Sequence, residues 1–125
     1  MRTRNFIQSL SYALEGLRYA LRSQRNMRIH ALMALVVLFL AFILGFSPLE
    51  LAILLLTIVL VLGAELLNTA IEATVDLCTE EYNYLAQRAK NVAAAAVLVC
   101  AFFAAAIGCF LFGPRAVALW ALLGR

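Results

Sequence analysis

Charge is what this sequence has least of. Only 14% of its 125 residues are Asp, Glu, Lys or Arg, against roughly 25% in ordinary soluble domains. A soluble chain of this length could not hide the 66% of residues that are hydrophobic, because small domains keep much of their surface exposed. The solvent is therefore lipid, and 125 residues suffice for one membrane domain. The net charge of +3 is too small to point to nucleic acid. Cysteine is scarce too: Cys78, Cys100 and Cys109 form no pair with metal-ligand spacing. Cys100 and Cys109 sit in an apolar run, where cysteine packs as a small hydrophobe. A cleavable signal peptide is not expected. The first long apolar run starts near Ile29, and no small-residue cleavage site follows it.

Four segments can be read along the chain. Over residues 2–28, Phe6, Leu10, Ala13, Leu14, Leu17 and Leu21 recur at helical spacing, while Arg4, Glu15, Arg18, Arg22 and Arg25 take other faces. This pattern predicts an amphipathic helix in the membrane interface. The first span is expected over 29–46, with Gly45, Ser47 and Pro48 marking a turn. A second span covers 49–76, apolar as far as Ala64 and polar beyond it. Residues 77–90 read as a polar link. A third span covers 91–112, and its alanines suit close helix packing. Gly113 and Pro114 are expected to end it, leaving an interfacial tail over 114–125 that carries Trp120.

The basic residues set the orientation. Arg2, Arg4, Arg18, Arg22, Arg25 and Arg28 precede the first span, and Arg88 and Lys90 lie between the second and third. Only Arg115 and Arg125 lie beyond the third. The positive-inside tendency then predicts a cytoplasmic N-terminus and an external C-terminus.

Four polar residues interrupt the second span. Glu65, Asn68, Glu72 and Asp76 follow at spacings of three, four and four, so they stack on one helix face. Ionisable groups within a span are costly and mark functional sites. Pro48 to Glu65 is 17 residues, or about 26 Å of helical rise. That depth predicts Glu65 near the cytoplasmic edge of the hydrocarbon, where a lipid hydroxyl and a cytosolic solute meet. A structural pairing of Glu65 with an arginine of the interface helix would be the simplest alternative. Carboxylates here suit a general base acting on an alcohol, or a Mg²⁺ site completed by substrate phosphates. Asn68 can orient a hydroxyl or a phosphate oxygen, and Arg88 and Lys90 can neutralise phosphate charge. Base, metal and cation are the parts that phosphoryl transfer needs. No GxxxxGK[ST] loop and no HRD or DFG signature is present, so a nucleotide would need another architecture.

The run ELLNTAIEATVD, Glu65 to Asp76, resembles the signature of the prokaryotic diacylglycerol kinase and undecaprenol kinase family. LAQRAKNVAAAAV, Leu85 to Val97, is similar to that family's segment at the start of its third span. RNMRIH, Arg25 to His30, resembles the segment before its first span, in the form common among undecaprenol-type members. The resemblance implies an all-α membrane protein with an N-terminal surface helix and three spans. It also implies a homotrimer with active sites shared between subunits, in the bacterial cytoplasmic membrane. Mg-ATP would donate its γ-phosphate to a lipid alcohol, undecaprenol or diacylglycerol. On this match Glu65 takes the place of the catalytic base and Glu72 that of the metal-binding carboxylate. Asn68 and Asp76 support the site, Asn68 also beside the lipid hydroxyl, and Lys90 contacts the phosphates. Tyr12 and Tyr82 fall where the family lines its nucleotide site. Two positions depart from the pattern. Gln24 stands where an acidic metal ligand is usual, and Asn91 where an aspartate follows the lysine. Each keeps an oxygen donor and loses a charge, so weaker Mg²⁺ binding is expected.

Two other function classes compete. A small proton-coupled transporter would use a membrane glutamate without ATP, but commonly needs four spans and a mid-membrane carboxylate. An inactive relative serving as a scaffold would bind no nucleotide.

Overall fold

The computed structural model describes residues 5–79 and 81–124. Arg2, Arg4 and Arg125, used above for orientation, lie outside the described residues, as does Glu80 of the link. Every described element is a helix: α1 Phe6–Ser23, α2 Arg25–Ile43, α3 Pro48–Cys78 and α4 Tyr84–Leu123. The last three are long and apolar enough to cross a membrane. At 1.5 Å per residue α2 rises about 28 Å, close to the hydrocarbon thickness. α3 and α4 have 31 and 40 residues and so extend past it.

Three boundaries differ from the sequence reading. The first helix stops at Ser23 rather than near residue 28, because Gln24 adopts an extended backbone and α2 starts at Arg25. The Arg25–Arg28 turn therefore belongs to the first spanning helix. The expected 77–90 link contracts to 79–83. α3 runs to Cys78, and Asn83 caps α4 by accepting hydrogen bonds from the N–H groups of Leu85 (2.9 Å) and Ala86 (3.2 Å). Finally, α4 continues through Gly113 and Pro114 to Leu123, so residues 114–123 form no separate tail. Proline removes one donor from the ladder. Arg115, its neighbour, supplies a compensating contact, with Nη1 donating to Leu111 O at 3.1 Å.

The turn between α2 and α3 is well determined. Gly45 has φ +64°, a left-handed conformation that costs a side-chain-bearing residue about 1–2 kcal/mol. Around it Phe46 N–H reaches Ala41 O at 3.1 Å and Gly45 N–H reaches Phe42 O at 3.3 Å, closing the helix in a Schellman arrangement. Ser47 and Glu50 then form a reciprocal capping box, with Pro48 in the first turn of α3. Arg115 of α4 closes over this turn. Its guanidinium donates to both Glu50 oxygens at 2.8 Å and to Leu44 O at 3.2 Å, and it lies 4.3 Å from the Phe46 ring centroid. Phe46 in turn packs on Phe112 at 4.7 Å between centroids. Ala41, Phe46 and Leu54 form the buried core of this end.

Elsewhere a single chain buries little. Large apolar side chains such as Phe42 (84% exposed) and Phe110 (82% exposed) face outward from the helices, as expected when the surroundings are lipid. The three cysteines are unpaired thiols.

Candidate active site

At the opposite end from the Gly45 turn, α3 turns polar. Its core-facing positions there include Glu65, Asn68 and Thr69, all buried. Glu65 is 1% exposed, and it and Met27 are the largest side chains fully withdrawn from solvent. Ala20, near the end of α1, is equally buried. α1 touches α2 and α3 here, so the break at Gln24 folds the surface segment over the polar end of α3.

Burying a carboxyl group without a partner is costly. Neither Glu65 oxygen has a hydrogen-bond partner, and Asn68 Oδ1 is unpaired as well. The expected arginine partner is absent among the described residues, since no ion pair to Glu65 is found. The field at Glu65 comes instead from His30 on α2 and Glu72 on its own helix. Thr69 contributes only to the backbone, donating from Oγ1 to Glu65 O at 2.8 Å.

One helical turn further along, Glu72 gathers the neighbouring amides. Gln24 Nε2 donates to Glu72 Oε2 at 2.9 Å, and Asn68 Nδ2 donates to Glu72 Oε1 at 3.1 Å. Three residues singled out from sequence thus converge on one carboxylate. Beyond them Lys90 of α4 pairs with Asp76 of α3. Asp76, Lys90 and Tyr82 line a recess of about 180 Å³ together with Thr79, Asn83 and Gln87. A second recess of about 530 Å³, between α3 and α4, carries Asn68, Leu67, Arg88 and Val92 on its wall.

Other expected residues stand apart from this cluster. Asn91 accepts a 2.9 Å hydrogen bond from Gln87 on its own helix and is exposed. Tyr12 lies on α1, half-exposed, 12 residues before Gln24 and so about 18 Å away along the helix axis. Arg88 stacks on Tyr84, its guanidinium 4.7 Å from the ring centroid, and donates to the Tyr84 hydroxyl. Sequence reasoning gave no role to His30. The signal was available: it is the lone ionisable residue inside the expected first span, and such residues are costly without a purpose.

Comparison with known proteins bears on this geometry. A sequence model of the prokaryotic diacylglycerol kinases matches residues 11–112, most of the chain. The chain belongs to this family. Among curated proteins it is 43% identical over 112 residues to a diacylglycerol kinase of Synechocystis, covering 88% of this chain and 64% of that protein. It therefore spans just under two thirds of that relative's length. It is 41% identical over 110 residues to the undecaprenol kinase of Bacillus subtilis, covering 88% and 89% of the two chains. To the diacylglycerol kinase of Escherichia coli it is 33% identical over 105 residues, covering 84% and 86%. The stretch matched to the diacylglycerol kinase family holds Gln24, His30, the Glu65–Asp76 face and Lys90, and stops short of Arg115. Membership in a kinase family disfavours the transporter and the scaffold.

Proposed function

We propose that this protein is a membrane lipid kinase that transfers the γ-phosphate of ATP to a lipid alcohol. Its relatives are named diacylglycerol kinase and undecaprenol kinase. The observation that carries the reading is the buried, unpartnered carboxyl of Glu65 one to two turns from the Gln24–Asn68–Glu72 cluster. A lipid hydroxyl offered to Glu65 would supply the missing hydrogen bond. Glu65 then accepts the hydroxyl proton as the oxygen attacks phosphorus. Asn68 Oδ1, also unpaired, orients the same hydroxyl or a phosphate oxygen. Lys90, released from Asp76, meets the phosphates, and Tyr82 lines the recess beside it.

A Mg²⁺ site fits the donor chemistry of Glu72. Among the described residues no group of three or more His, Cys, Asp or Glu side chains is placed to hold a metal alone. Mg²⁺ ordinarily takes one or two carboxylates plus substrate phosphates and water. Glu72, with amide oxygens from Gln24 and Asn68, offers that set once the two amides rotate. When bound, Mg²⁺ would neutralise charge on the transferring phosphoryl group. The neutral Gln24 makes the site weaker than a two-carboxylate one.

In this reading α1 lies in the membrane interface, which its exposed Phe6, Ile7, Leu10 and Leu14 support. The protein sits in the bacterial cytoplasmic membrane with its N-terminus and the 79–83 link in the cytoplasm. It works as a homotrimer, because one chain leaves its site half-enclosed and its spanning helices largely uncovered. The test is ATP- and Mg-dependent labelling of a lipid extract by the purified protein. Glu65→Gln should lower the rate by 10²-fold or more, in the range typical of lost general-base catalysis. Undiminished labelling would remove Glu65 from that role.

A further inference from the structure

We propose that the apolar cavity enclosed by α2, α3 and α4 is a tail site that holds one hydrocarbon chain of the lipid-alcohol substrate, with Gly108 setting its width. This rests on the kinase reading and deepens it by assigning where the substrate's tail goes.

The cavity measures about 300 Å³ and runs inside the spanning region. Its upper wall is Val61 and Leu62, the turn of α3 that precedes Glu65, with His30 at the same level on α2. Its far end is closed by Leu54 and Phe112, part of the core beneath the Gly45 turn. Leu54 to Leu62 is eight residues, so the cavity is about 12 Å long. A space of that length and volume lies at the bottom of the range for ligand pockets. It takes one chain and leaves no room for a second beside it.

Chemistry matches shape. Apart from His30, the polar residue on the wall is Thr57, whose hydroxyl is already committed to Ile53 O at 2.8 Å. Everything below His30 is therefore apolar or satisfied, and such a cavity takes hydrocarbon rather than water. At its head stands the unpartnered carboxyl of Glu65. A lipid alcohol with one chain in the cavity would present its hydroxyl at that carboxyl. A two-chain alcohol would have to leave one tail outside.

The α4 wall shows why the space exists. It consists of Ala101, Ala104, Ala105 and Gly108. A Cβ built on Gly108 meets nothing within 4 Å, so a larger side chain there enters open space without a backbone clash. Replacing a mid-helix glycine also favours the helix. Gly108→Leu is thus a way to fill the cavity while leaving the fold intact.

The full-length protein in detergent–lipid micelles would be assayed with a long polyprenol, a short prenol and a diacylglycerol. Gly108→Leu should raise KM for the long polyprenol about tenfold, the scale of one or a few misplaced methylenes in an apolar pocket. KM for ATP and turnover of the short prenol should not change. Val99→Leu, on an exposed face of α4, should leave all three unchanged. A polyprenol carrying a diazirine near its tail should cross-link to residues 101–112 in the wild type and not in Gly108→Leu. That cross-linking does not depend on turnover. If the wild type phosphorylates no lipid, the kinase reading fails while the cross-link still tests the cavity. Equal labelling by a diazirine alkane lacking the hydroxyl would overturn the inference, since ordinary membrane hydrocarbon would then fill the space. So would a Gly108→Leu protein with unchanged KM and an altered assembly size, because a second copy would be the occupant.

Discussion

Gln24 Nε2 and Glu72 Oε2 are joined by a 2.9 Å hydrogen bond across 48 residues of sequence. The bond ties the break between α1 and α2 to the polar end of α3. It also puts an uncharged group beside the carboxylate best suited to a metal. Gln24→Glu should therefore lower the Mg²⁺ concentration needed for half-maximal activity, by about tenfold on the scale of altered metal-site partners. Titrating Mg²⁺ at fixed ATP would measure it, and an unchanged midpoint would place Gln24 outside the metal site.

Lys90 faces two claims on its charge, Asp76 in the structure and phosphate in the proposed reaction. Lys90→Met should raise KM for ATP by about tenfold, the equivalent of about 1.4 kcal/mol. Loss of affinity for the lipid alone, with KM for ATP unmoved, would assign Lys90 to the other substrate. Asp76→Asn should have a smaller effect, because it leaves the ammonium in place.

Gly45 holds φ +64° at the turn that reverses the chain. Gly45→Ala should cost about 1 kcal/mol through left-handed backbone strain. The thermal midpoint in detergent should fall, while the Mg²⁺ and ATP dependence stay as they are. A shift in either dependence would show that the two ends of the helices communicate.

Arg115 and Glu50 form a two-pronged pair at 2.8 Å. Arg115→Met and Glu50→Gln should each lower the thermal midpoint. The double variant should lose less than the sum, because both single changes break the same contact. Additive losses would mean that the bond to Leu44 O and the stacking on Phe46, rather than the ion pair, carry Arg115's contribution.

How much of this was readable beforehand follows from the kind of signal each feature leaves. The spanning helices and the Glu65–Asp76 face announce themselves locally, by apolar run length and by spacings of three and four. The Gly45–Ser47–Pro48 turn did so as well. What failed were boundaries set by contacts distant in sequence. Pro114 looked like a terminator because its own residue type says so. Arg115's bonds to Glu50, Leu44 and Leu111 cross up to 71 residues and leave no local trace. The stop at Gln24 was equally invisible, since a glutamine between two helix-forming arginine-rich turns carries no breaking signal of its own. In the site, Glu65, Asn68 and Glu72 lie on one helix and were legible together. Gln24 came only from resemblance, and His30 was passed over because its relation to Glu65 exists only when α2 and α3 are side by side.

Arg115 lies three residues beyond Phe112, where the match to the family ends. Anyone trimming the chain to its recognisable portion would cut away the side chain that fastens α4 to the α2–α3 turn. The shortened protein would keep every residue assigned to chemistry and still soften, because the fastening and the reaction sit at opposite faces of the membrane.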